Sequence, residues 1–146
     1  MTIRLPDFLR PAPLAPRKAA ISPVPDNMTS VLVVDDEPAI RSLLAASLRR
    51  DGYYVAEAAD GQEAINVLET AGHVDVVVTD VRMPHMDGLT LADTLRASHP
   101  DLNIIFVSGY PVSHEAMGPH SRLLSKPFAR TALMNLVGEV AGPPQH

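Results

Sequence analysis

The chain has 146 residues, 46% of them apolar and 20% charged, which is one ordinary domain with some excess. The absence of cysteine excludes a disulfide framework and a thiolate metal site. With no apolar segment near about twenty residues and no charged leader before an apolar run, neither a membrane span nor a signal peptide is expected, and the setting expected is cytoplasmic. Residues 1–28 carry four basic and two acidic side chains, so the remaining chain is −7 and offers no electrostatic footprint for nucleic acid.

Residues 1–28 contain six prolines among alanines and scattered charges, which break any helical or strand period. This segment reads as a disordered or partly polyproline II tail ahead of a domain over residues 29–142, with 143–146 as a short C-terminal tail. Val31 to Val34 is an apolar, mostly β-branched run that reads as a buried strand, and it ends on Asp35-Asp36-Glu37. Pro38 suits the first helical position, and Ile40, Leu43, Leu44 and Leu48 recur at helical spacing up to Arg50, predicting one apolar stripe against a sheet.

Gly52 closes that helix, and Tyr53 to Glu57 predicts a shorter, more polar strand near a sheet edge. Asp60 and Glu63 form a capping-box-like start for a helix with Ala64, Ile65 and Leu68 inside, ending at Gly72. Asp75 to Asp80 contains three consecutive valines with no polar alternation, the pattern of a strand covered on both faces. A turn through Pro84 and Gly88 leads to a helix over Leu89 to Ser98, stopped by His99-Pro100. Ile104 to Val107 predicts a fourth strand ending on Ser108, and Gly118 with Pro119 leaves room for only a short helix after it. Leu123 to Ser125 is a brief fifth strand running into Lys126-Pro127, a bond whose isomer the sequence leaves open. Leu133, Leu136, Val137 and Val140 mark a last amphipathic helix.

Five strands alternating with five helices predict an α/β fold: a doubly wound five-stranded parallel sheet, flavodoxin-like, of order 2-1-3-4-5, with helices on both faces. The first and third strands are then neighbours, and Asp35, Asp36 and Asp80 share one pocket at the carboxyl edge. At an effective dielectric near 20 each carboxylate pair costs on the order of 4 kcal/mol. A divalent cation offsets this. Mg²⁺, or Mn²⁺ in its place, takes oxygen ligands and neutralises a phosphoryl group in transfer, and an aspartate beside it can form an acyl phosphate. Ser108 and Lys126, at the ends of the fourth and fifth strands, supply a hydroxyl and an ammonium for phosphoryl oxygens. The six histidines lack metal spacing, Met83 and Met86 read as loop packing, and Tyr110 is open to packing or to partner contact.

Asp35-Asp36, Asp80 with Met83-Pro84 and Asp87-Gly88, Ser108-Gly109 and Lys126-Pro127-Phe128 together resemble the signature of the response-regulator receiver domain of two-component signalling, single-domain and chemotaxis-receiver-like, over about residues 30–141. The resemblance implies that Asp80 receives a phosphoryl group from a phosphohistidine on a sensor histidine kinase or a histidine phosphotransfer protein. It implies that Asp36, Asp80 and the Arg82 backbone carbonyl hold Mg²⁺, with Asp35 acting through a coordinated water. It further implies a monomer or weak dimer that signals to a downstream protein without being an enzyme in its own right. Family members commonly carry an aromatic residue three positions before the lysine; Leu123 stands there, and the interval from Ser108 to Lys126 is short. Arg82 and Tyr110, two residues beyond Asp80 and Ser108, are expected to hinder the attacking water and so tune phosphate lifetime. Two other classes are weighed against this reading. An aspartate-nucleophile phosphatase of the haloacid-dehalogenase type expects an acidic residue where Arg82 stands. A pseudo-receiver scaffold would keep the pocket unphosphorylated.

Overall fold

A computed structural model describes residues 28–142. The segments read as tails, 1–27 and 143–146, lie outside the described residues. In chain order the elements are β1 (Ser30–Val34), α1 (Pro38–Arg50), β2 (Tyr54–Ala58), α2 (Gly61–Thr70), β3 (Val76–Asp80), α3 (Gly88–Ser98), β4 (Asn103–Ser108), α4 (His114–Met117), β5 (Ser121–Ser125) and α5 (Arg130–Ala141). The strands form one parallel sheet of order β2-β1-β3-β4-β5. This is the predicted fold class, with β2 at an edge as its polar character implied.

Side chains alternate across a strand, and the alternation sorts the core into two layers. Leu32, Val34, Val77, Ile104 and Phe106 pack with Ala64, Val67 and Leu68 of α2, Leu91 and Leu95 of α3 and Met117 of α4. Val31, Val33, Val76, Val78, Ile105 and Val107 pack on the other face with Leu44 and Leu48 of α1 and Leu133 and Val137 of α5. The central strands are therefore covered on both sides, which explains their unbroken apolar sequence.

Local chemistry sets the boundaries. Asp60 caps α2 by accepting from the Glu63 N–H at 2.8 Å, while the Glu63 carboxylate accepts from the Ala59 N–H at 2.6 Å. Asp87 caps α3 in the same way through Thr90 N–H at 2.8 Å, so the helix starts at Gly88, one residue before the predicted Leu89. Tyr53 does not open β2; its N–H donates to the Leu48 carbonyl at 3.2 Å and so still belongs to the end of α1. The shortened interval after Ser108 yields a four-residue α4.

The predicted stripe on α1 needs correction. Leu44, Ala45 and Leu48 are buried, whereas Ile40 is 38% and Leu43 65% exposed. Ala45 faces the sheet, and its single methyl carries too little hydrophobic signal to show the true centre of the buried face. Leu43, one position before Leu44, is rotated away by about 100°. Ile65, expected inside α2, is only partly buried and borders the core.

Candidate functional site

The carboxyl ends of β1, β3, β4 and β5 bring the candidate residues together, as open α/β sheets do with their ligands. Asp35 follows β1 and is buried at 3% exposure, Asp36 next to it is exposed, and Asp80 ends β3 half-buried. One carboxylate oxygen from each lies within 4.8 Å of the others. Asp35 is fixed by acceptance from the Glu37 N–H at 2.9 Å, by donation of its own N–H to the Ala58 carbonyl, and by Arg41, whose guanidinium holds the Asp35 carbonyl at 2.8 Å. Arg41, which also reaches Glu57 at 3.5 Å, carries no sequence signal of this role.

Burial raises the Asp35 pKa above 3.8; the Glu37 N–H opposes the rise, and the charge on Asp80 adds to it. Three converging carboxylates, one of them reluctant to ionise, form an oxygen-only donor set of the kind a hard divalent cation neutralises. The Lys126 ammonium partly offsets their charge at 3.3 Å from Asp80 Oδ2. It is carried there by β5, whose end is held to β4 through Lys126 N–H to the Ser108 carbonyl at 2.8 Å, and the peptide to Pro127 is cis.

The turn after Asp80 folds back tightly on the aspartate. Asp80 Oδ1 accepts from the Arg82 N–H at 3.2 Å, His85 sits at φ 70°, and Gly88 N–H donates to the Val81 carbonyl at 2.8 Å. A β-carbon at position 88 would lie 2.3 Å from the Asp80 carbonyl oxygen, so only glycine fits. Met83 and Met86 pack against the core beside α2 and α3, which agrees with loop packing.

Ser108 is buried, and its hydroxyl is fully engaged with one neighbour: Oγ donates to the Tyr110 carbonyl at 2.9 Å and accepts from the Tyr110 N–H at 3.0 Å. Tyr110 is 60% exposed, and its ring centroid lies 4.3 Å from the Arg82 guanidinium carbon. Sequence reasoning singled out both residues but not this contact between them. Leu123 lies apart from the carboxylates, half-buried on the α2–α4 layer and opposite Phe106 in the β4–β5 register. A groove of about 730 Å³ opens beside Lys126; Ile40, Leu43, Leu44, Pro127, Phe128 and Leu133 make it mostly apolar.

Comparison with known proteins agrees with this fold. The family model of the response regulator receiver domain matches residues 31–138. Over 136 residues the chain is 40% identical to the sensor kinase CckA of Brucella abortus, covering 88% of this chain and 14% of that protein. It is 39% identical over 108 residues to the response regulator MprA of Mycolicibacterium vanbaalenii, covering 71% of this chain and 46% of the relative. Among solved structures, the Vibrio cholerae chemotaxis protein CheY4 superposes with a TM-score of 0.72 at 31% identity, covering 77% of this chain and 98% of that one. The receiver domain of the hybrid histidine kinase CckA gives 0.67 at 38% identity, covering 77% and 98%. The chain belongs to the response regulator receiver domains of two-component signalling. It spans less than half the length of these curated relatives.

Proposed function

We propose that this chain is a phosphoacceptor signalling module in which Asp80 takes a phosphoryl group from a phosphohistidine on a sensor histidine kinase or a histidine phosphotransfer protein. The observation that carries the reading is the convergence of Asp35, Asp36 and Asp80 within 4.8 Å with Lys126 on Asp80. An Asp80 carboxylate oxygen attacks phosphorus, the N–P bond breaks, its electron pair returns to the imidazole nitrogen, which takes up a proton, and an acyl phosphate remains on Asp80. Lys126 and the Ser108 hydroxyl hold the phosphoryl oxygens. Asp36, Asp80 and the Arg82 carbonyl are the proposed ligands of Mg²⁺ or Mn²⁺, with Asp35 acting through a coordinated water. When bound, that cation neutralises the charge that the transferred group carries between the carboxylates.

Arg82 and Tyr110, stacked beside Asp80, screen the acyl phosphate from water and lengthen its life; loss of phosphate after replacing each by alanine measures this. The apolar groove beside Lys126 suits the side of an amphipathic helix presenting a phosphohistidine, since its exposed Ile40 and Leu43 are unneeded by the core and line the groove with Lys126, which reaches Asp80. The setting proposed is cytoplasmic; among the described residues no helix is long and apolar enough to cross a membrane. The phosphatase reading loses its acid/base because Arg82 is a cation that cannot give up its proton.

Incubation with Mg²⁺ and acetyl phosphate, followed by intact mass, tests the proposal. Addition of one phosphoryl group to the wild-type chain and not to Asp80→Asn is the expected result. Repeated release of phosphate from monoesters would favour a hydrolase, and no addition at all would favour a scaffold.

A further inference from the structure

The carbonyl that Arg41 holds, 2.8 Å from its Nη1, belongs to the peptide that joins Asp35 to Asp36. A peptide is planar, so a held carbonyl fixes the whole unit. The peptide on the other side of Asp35 is held as well, its N–H donating to the Ala58 carbonyl at 3.2 Å. The backbone entering Asp36 is therefore set from both sides of Asp35. Asp36 itself is exposed, so packing does not aim its carboxylate.

The grip comes from the end of the edge strand β2. Arg41 Nε faces Glu57 Oε1 at 3.5 Å, and Glu57 precedes Ala58. Glu57 Oε2 accepts from Arg49 Nη1 at 3.1 Å, while Arg49 Nη2 donates to the Val55 carbonyl at 2.9 Å. A guanidinium is a rigid planar fork, and engaging Nε with Glu57 and Nη1 with Asp35 orients that plane. The Arg41 side chain is 19% exposed and Asp35 3%, so bulk water is poorly placed to take over the bond.

We propose that Arg41 is a positioning residue for the divalent cation: by fixing the Asp35–Asp36 peptide it aims the Asp36 carboxylate at the pocket shared with Asp80. The inference rests on the reading of Asp36 as a ligand of the cation given above. Charge and geometry make opposite demands on Arg41. By charge alone a guanidinium repels a cation, and its loss would raise affinity. By geometry its loss frees the peptide and lowers affinity, so the sign of the change separates the two.

Titration of the full chain with Mn²⁺, read by the electron paramagnetic resonance of the free ion, tests it. In Arg41→Met the affinity is expected to fall about tenfold, the low end for loss of a group that orients a metal ligand. Arg41→Lys keeps the charge without the planar fork and is expected to fall in the same direction. With acetyl phosphate, the Mg²⁺ concentration for half-maximal mass gain is expected to rise by the same factor, while the rate at saturating Mg²⁺ holds. In chelator, the Asp36 amide resonance is expected to shift in both variants, because its nitrogen belongs to the freed peptide. Thermal melts in chelator establish that the variants are folded, and Arg41→Lys carries the comparison if Arg41→Met is not. An unchanged or raised Mn²⁺ affinity in the folded variants overturns the proposal while leaving Asp36 as a ligand. A wild type that binds no Mn²⁺, or whose affinity survives Asp36→Asn, overturns the reading of Asp36 and this one with it.

Discussion

The Lys126 ammonium lies 3.3 Å from Asp80 Oδ2, reaching from the edge strand β5 past β4 to the central strand β3. The ammonium pairs with one member of the three-carboxylate cluster, and its removal is expected to act in opposite directions on two measurable properties. In Lys126→Ala, divalent cation affinity is expected to rise by up to about fivefold, the worth of a partly exposed ion pair. The rate of phosphorylation by acetyl phosphate is expected to fall by about a hundredfold, as for loss of one preorganised donor to a transferring group. Titration with Mn²⁺ and the rate of mass gain measure the two. A fall in both would place Lys126 in the fold rather than in the chemistry.

Asp35 gives the pocket a pH dependence. Burial, aided by Asp80, raises its pKa above 3.8 despite the Glu37 N–H, so the folded chain keeps a proton where the unfolded chain has lost it. Stability from this group is full below the unfolded value and is lost as pH rises through the folded value. At neutral pH and in a chelator, Asp35→Asn, which retains an acceptor for Glu37 N–H, is expected to melt a few degrees above the wild type. Added Mg²⁺ is expected to raise the wild-type midpoint and narrow the gap. Thermal melts at several pH values with and without the ion provide the check.

Gly88 is required by contact with the Asp80 carbonyl rather than by its own backbone angle. Gly88→Ala is expected to cost about 1–3 kcal/mol and to slow phosphorylation, because relief of the 2.3 Å contact moves the acceptor. Gly61→Ala makes the matching control, since its nearest neighbour is the flexible Met86 thioether. Urea unfolding of the pair should separate them; equal costs would remove the backbone contact as the cause.

Leu43 and Leu44 adjoin in sequence but differ in fate, at 65% and 6% exposure. Leu44→Ala is expected to cost about 2–4 kcal/mol, whereas Leu43→Ala stays within about 0.5 kcal/mol. Chemical denaturation reads both, and similar losses would restore the continuous stripe that periodicity alone describes.

Arg96 on α3 is 9% exposed, with its three guanidinium nitrogens buried and lacking hydrogen bonds; Asp93 stands 3.7 Å away. Desolvation lowers its pKa, with Asp93 opposing. Arg96→Met fills similar space without the desolvated charge, and is expected to raise the unfolding free energy by about 1–3 kcal/mol. A loss of stability in denaturant titration would mean that the guanidinium, which lies against Gly118, is needed for its packing.

Much of this was legible in the sequence for a physical reason: acidic, hydroxyl and ammonium groups stand at the ends of apolar runs, and a parallel sheet gathers such ends at one edge. Asp35, Asp36, Asp80 and Lys126 come together on that ground alone. What stayed hidden depends on side-chain direction. Ala45 masked the buried face of α1. The bond of Ser108 to Tyr110 is a local turn contact, and the stacking of Tyr110 on Arg82 links residues on different loops; no period in the chain encodes either. Arg96 reads in sequence as an ordinary basic residue in the last turn of a helix, and only packing exposes its missing partners.

The division of the core into two layers bears on the timing of a signal. The apolar groove on α1 and α5 belongs to one face of the sheet, and α4 packs on the other. A donor seated in the groove, as proposed, leaves the α4 face uncovered. On the proposed phosphoacceptor reading, a second protein on the α4 face would not compete with the donor for surface, and the chain would then act as a bridge rather than a shuttle.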